Sequence, residues 1–124
     1  MKEIEGIILK LGTKDLNGYV FSKDCKIDYP DKIPIVLKYF NSSPKNVVGN
    51  AKVIRKNDFL FVQGEITDNT IDGFIEEEIY THLGFFANKV KKKGNNVTEM
   101  SIRSVALLTE NESALSYCKI IKKE

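Results

Sequence analysis

The sequence predicts a mainly β, soluble, single-domain protein with one or two short helices. Three observations carry that reading. Apolar runs of about five to ten residues recur along the chain, and turn-forming clusters rather than long amphipathic stretches separate them. Two of those clusters, around Asn57-Asp58 and Gly94-Asn95-Asn96, are strong hairpin chemistry. The chain has 124 residues, 42% of them hydrophobic and 29% charged, which suits one globular core and argues against disorder or a fibrous repeat.

In chain order, Ile4 to Leu11 is the first strand, with Gly6 as a bulge, and Gly18 to Phe21 is a short second one after "KDLNG". "SKDCKIDYPDK" reads as a polar connection, closing where Pro34 forces the chain to be extended. Ile35 to Tyr39 lacks polar alternation and so reads as a strand buried on both faces. Val47 to Lys56 and Phe59 to Ile66 flank "KND" and form the clearest hairpin. "TDNTIDGF" is turn-rich. Glu76 to Leu83, with acidic residues first and Ile79 four residues before Leu83, reads as a short helix.

Ile79, Leu83, Phe86 and Val90 would extend that helical face, but Gly84 interrupts it. The turn chemistry at Lys93 to Asn96 instead favours a long hairpin, placing Phe85 and Phe86 on a strand. Thr98 to Leu108 follows, interrupted at Arg103. Ala114 to Ile121 is a last strand or a short helix after "TENES".

Charge and cysteine content exclude little. The 19 basic and 17 acidic residues are interspersed and sum to +2, too balanced to imply nucleic acid. Cys25 and Cys118 do not make a disulfide framework, so a reducing compartment is expected. The acidic start "MKEIEGI" is unlike a signal peptide, and no run of about 18 apolar residues suggests a membrane span; the expected location is cytoplasmic.

Chemistry-bearing patterns are sparse. His82 is the single histidine, a residue type that in such apolar company is more often a packing residue than a ligand. Neither CxxC nor HExxH occurs, and no glycine pattern cradles a phosphate, so no metal or other cofactor is expected. Asp24, Asp28 and Asp31 lack calcium-loop spacing and read as an exposed turn. Glu76, Glu77 and Glu78 read as a solvated helix start. Lys89, Lys91, Lys92 and Lys93 beside Phe85 and Phe86 are the possible nucleic-acid contact, by backbone attraction and stacking. Lysines at a hairpin tip also serve solubility and blunt a sheet edge, and the nearby acidic run opposes such binding.

Two stretches, "GYVF…IPIVLKYFNSSPKNVVGNAKVIRKNDFLFVQGEI" and "GFFANKVKKKGNNVTEMSIRSVALLTENESA", resemble the prohead (capsid maturation) protease family of tailed bacteriophages. The likeness runs from about Gly18 to Ala114. "VVGNAKV" matches the family's middle strand, and Met100 to Ala114 its later segment. The resemblance implies a small, partly closed antiparallel or mixed β-barrel of prohead-protease type, with phage capsid or scaffolding proteins as partners and a possible virion association.

The family's catalytic positions are replaced. Where its histidine belongs this chain has Tyr39, Phe40 and Asn41, and where its serine belongs, on the strand after Gly84, it has Phe85, Phe86 and Ala87. A phenyl ring supplies neither nucleophile nor base. Tyr39, Phe40, Phe85, Phe86 and Ala87 are therefore the candidate residues of a vestigial site, with no catalytic residue among them. "NSSPKN" becomes a connecting loop beside a cleft filled by Tyr39 and Phe40.

The resemblance thus implies a non-enzymatic phage or prophage structural or assembly protein. The alternatives are an unrelated β-rich binding module for a peptide or single-stranded nucleic acid, and a serine peptidase pairing His82 with Ser42, Ser43, Ser101 or Ser104. An unpaired sheet edge would also favour a homo-oligomer.

Overall fold

The computed structural model describes residues 2–15, 18–37, 47–112 and 118–123. Eight strands form one mixed sheet: β1 (Lys2–Lys10), β2 (Val20–Asp28), β3 (Ile33–Leu37), β4 (Val47–Lys56), β5 (Phe59–Ile66), β6 (His82–Lys93), β7 (Asn96–Leu108) and β8 (Ile121–Lys123). A single α-helix, α1 (Asn69–Glu76), and a 3-10 turn at Glu110–Glu112 complete the described elements. The mainly β class is as the sequence predicts.

β7 organises the sheet. Along one edge it pairs antiparallel with β6, and its other edge is divided in two. Its first half there pairs parallel with β2, and its second half parallel with β3. β3, β4, β5, β1 and β8 then follow as antiparallel neighbours. β3 is hydrogen-bonded on both edges, and its side chains on both faces are buried or half-buried, which explains its uninterrupted apolar sequence. Ile33 and Ile35 lie in the main core with Leu60, Ile66, Met100, Ile102 and Leu107.

The ladders do not close the sheet into a barrel. Residues 118–120 instead reach from one end of it to the other. Leu83 donates its backbone N–H to Cys118 (2.7 Å), Ile120 donates to Thr81 (2.8 Å), and the segment continues into β8 on the edge of β1. Gly6 permits this crossing: a Cβ there would lie 2.8 Å from the Lys119 carbonyl oxygen and 2.9 Å from Leu83 Cδ1. The role of Gly6 is therefore close approach. The bulge expected there falls between Ile7 and Leu9.

β2 shows a second departure from a regular ladder. Its residues between Phe21 and Lys26 swing away from β7. The Arg55 guanidinium, reaching over from β4, donates to the carbonyls of Cys25 (3.0 Å) and Lys23 (3.2 Å). A side chain thus replaces missing strand-to-strand bonds. Arg55→Met is expected to destabilise the fold by about 1–2 kcal/mol by leaving carbonyls unpaired. Arg55→Lys should recover only part of this, because an ammonium lacks the planar fork. Urea midpoints of the three proteins measure both effects.

Both hairpins lie where the turn chemistry places them. Asn57 (φ 53°) and Gly94 (φ 63°) supply the left-handed residues of the two turns, and Phe85 and Phe86 are on β6. The interruption at Arg103 is a real irregularity, since the register shifts between Phe86 and Ala87, which pair with Ser104 and Ile102.

The helix is misplaced by the sequence reading. It occupies the turn-rich stretch before Glu76, with Asp68 capping the N–H groups of Thr70 and Ile71 and with Ile71 and Ile75 buried one turn apart. Glu76 closes this helix and pairs with Lys2. Ile79 is exposed, and His82 and Leu83 begin a strand. β2 also runs on through the stretch read as a polar connection, with Cys25 buried and its other residues partly or largely exposed.

Candidate functional site

The candidate residues fall on two parts of β6. At its start, alternate side chains serve opposite faces of the sheet. Leu83, Phe85 and Ala87 turn to the main core. Phe85 packs edge-on against Phe21, with ring centroids 5.8 Å apart and planes at 72°. Phe86, between them in sequence, is half-buried opposite Ser104. The two phenylalanines therefore do not line one cleft: Phe85 is part of the core. Tyr39, Phe40, Asn41, Ser42 and Ser43 lie outside the described residues.

His82 is buried, 4% exposed, and opposes Leu108 across the β6–β7 ladder. Its Nδ1 lies 2.8 Å from the Thr81 hydroxyl. Ser104 is four residues along β7 from Leu108, about 13 Å at the rise of an extended strand. Ser101 is farther still and its hydroxyl donates to Asp28 (3.4 Å). Neither Ser101 nor Ser104 is within reach of the imidazole.

Thr81 and His82 open onto a cavity of about 280 Å³, where Glu78, Tyr80, Glu110 and Lys119 add polar groups. Glu78 adopts a left-handed backbone (φ 59°), uncommon for its residue type. Burial, and then the nearby Glu112 carboxylate, push the Tyr80 phenol up from its ordinary value.

The cavity pairs a hydroxyl with an imidazole, but acyl transfer also needs N–H donors for the developing oxyanion. Three backbone donors beside the cavity are in use. Thr81 N–H serves the Leu108 carbonyl, Leu83 N–H that of Cys118, and Ile120 N–H that of Thr81. This Thr81–His82 contact was not legible in the sequence. Adjacent strand residues ordinarily face apart, and only the crossing of residues 118–120 encloses them.

The second part of β6 carries the lysines. Lys91 pairs with Glu99 at 3.0 Å, and Lys92 lies 4.3 Å above the Tyr19 ring. Lys89, at a register shift with φ 52°, is exposed, as is Lys93 at the turn. Lys26, Lys89 and Lys91 border a groove of about 480 Å³ that Asp28 and Glu99 also line. The aromatic rings nearest in sequence, Phe85 and Phe86, are not beside these lysines as a stacking platform: Phe85 is in the core, and the ring that is present, Tyr19, is covered by Lys92.

Both cysteines are buried free thiols. Burial pushes the Cys118 thiol up to about 12 and raises that of Cys25, where the Arg55 charge opposes it. Neither has the depressed pKa of a reactive thiol. No cluster of three or more potential ligands for a metal ion occurs among the described residues, and no helix among them is long and apolar enough to cross a membrane.

Comparison with known proteins returned no matching family profile, no matching curated protein and no matching solved structure.

Proposed function

We propose that this chain is a non-enzymatic binding and assembly module, a β-sheet scaffold of prohead-protease pattern without a hydrolytic centre, acting on the capsid or scaffolding proteins of a phage or prophage. The observation that carries the non-enzymatic reading is the placement of His82. Its described hydroxyl neighbour is Thr81, the N–H groups of Thr81, Leu83 and Ile120 are spent on backbone bonds, and Ser104 stands about 13 Å along the sheet. The capsid context rests on the resemblance of the two long stretches.

A fluorophosphonate probe, which traps activated hydroxyl nucleophiles, tests this reading. We expect no covalent labelling of the folded protein, and equal background for His82→Gln. Stoichiometric labelling at Thr81 or at any serine, lost in His82→Gln, would establish a hydrolase instead. Co-sedimentation with assembled capsid protein of a tailed phage tests the assembly role, with retention as the expected result.

A further inference from the structure

The sheet sorts its charges by end, although in sequence they look interspersed. The register fixes the two ends. At one, Lys2 pairs with Ile66, His82 with Leu108, and α1 and the 3-10 turn follow directly from β5 and β7. At the other lie the β4–β5 turn at Asn57 and the β6–β7 turn at Gly94, brought together by bonds from Leu11 to Asp58, Gly12 to Phe21 and Val20 to Asn95.

The first end gathers Glu3, Glu65, Glu77, Glu78, Glu110 and Glu112, which outnumber Lys2, Lys119 and Lys123 placed there. Glu3 and Glu65 stand directly opposite one another on β1 and β5, a like-charge cross-strand pair, with Lys123 of β8 as the register partner of Glu3 on its other side. They border a groove of about 310 Å³ with Asn50 and Gln63. The second end gathers Lys23, Lys26, Lys56, Lys92 and Lys93, all exposed, with Asp58 at 3.8 Å from the Lys23 ammonium. β6 alone has 12 residues, so the ends are about 30–40 Å apart. That is several times the Debye length of about 10 Å at 0.1 M salt, and the two poles cannot neutralise each other within one molecule.

We propose that the chain associates head to tail with further copies of itself, the lysine end of one copy seated on the glutamate end of the next. The occupant follows from charge complementarity: each pole is the other's counterpart. Such a contact joins two different surfaces, so it builds rings or open filaments rather than a two-fold dimer. This deepens the assembly reading, yet the two are tested separately: probe labelling can fail while self-association holds, and the reverse.

Sedimentation velocity of the whole chain at ionic strengths of about 0.02 M and about 0.5 M tests it. The expected result is concentration-dependent oligomers at low salt and monomer at high salt. Lys56→Glu/Lys93→Glu cancels most of the positive charge of the lysine end, and Glu77→Lys/Glu110→Lys most of the negative charge of the glutamate end, while each variant keeps its other end intact. All four residues are exposed, and far-ultraviolet circular dichroism checks that each variant folds. Each variant alone should be monomeric at low salt, weakened at least about tenfold in its dissociation constant, and an equimolar mixture of the two should associate again. A monomeric wild type at low salt, association that persists at high salt, or folded variants that associate as the wild type does would each overturn the proposal. So would lysine-dependent capture of a single-stranded oligonucleotide by a protein that stays monomeric.

Discussion

Gly6→Val is expected to lower the unfolding free energy by about 3 kcal/mol and to expose the Cys118 thiol in the native state. The side chain would need space occupied by the Lys119 carbonyl at 2.8 Å and by Leu83 Cδ1 at 2.9 Å from the position of its first carbon. Leu83 can rotate part of the way. The carbonyl belongs to backbone bonded to its neighbours at both ends, by Cys118 to Leu83 and by Ile120 to Thr81. The valine therefore either breaks those bonds or pushes β1 off the crossing segment. Urea unfolding measures the stability, and labelling by a thiol reagent under native conditions reports Cys118, which is fully buried in the parent. A valine variant of parental stability with an unreactive Cys118 would mean that residues 118–120 do not press on β1.

Alkaline destabilisation should be steep, and Cys118 should account for most of it. In the unfolded chain this thiol ionises near its reference value of 9.0, whereas burial holds the proton in the folded state up to about 12. The folded state thus binds more protons across that interval. The contribution of this group to stability is complete below about pH 9 and is lost as pH rises towards 12. At about 1.4 kcal/mol for each unit, the full loss is on the order of 4 kcal/mol. Cys25 and Tyr80 are raised in the same direction and add to the trend. Cys118→Ala should flatten the dependence: the gap between its urea midpoint and the parent's should narrow from about pH 8 to about pH 11. Parallel curves would show that the thiol is already solvated.

The parts of this fold that the sequence declared are those governed by local chemistry. Asn57-Asp58 and Gly94 need particular backbone angles, so their hairpins were legible. The doubly buried β3 was legible because side chains on both of its faces are covered, which leaves no exposed position for polar alternation. The helix was missed because its burial rests on just two residues, Ile71 and Ile75, with Gly73 between them. Its capping Asp68 looks like any turn residue until a helix is seen to follow.

Less of the candidate site was legible. Phe85, read as a residue of a vacated cleft, turns inward to Phe21, a partner 64 positions away in the chain that no local pattern announces. His82 reads as an isolated histidine, and its contact with Thr81 and the cavity around them depend on residues 118–120 crossing from the far end of the sequence. The separation of charge has the same origin. Glu3 and Glu65 are remote in sequence and adjacent across a ladder, so a count along the chain mixes what the sheet sorts.

The crossing by residues 118–120 also sets the order in which the molecule can form. The β4–β5 and β6–β7 hairpins join strands that are neighbours in the chain, and they can appear early at little entropic cost. The parallel pairings of β7 with β2 and β3 come later, since a long stretch of chain must first be looped out. The pairing of β1 with β8 sets Glu3 beside Lys123, nearly the whole chain apart, and it has value only once the sheet between them exists. Such contacts raise the mean sequence separation and slow the search for the native state. Refolding of this protein should accordingly be slow for its size, with closure of the β1–β8 contact as a late step that Gly6→Val hinders and that leaves the early hairpins untouched.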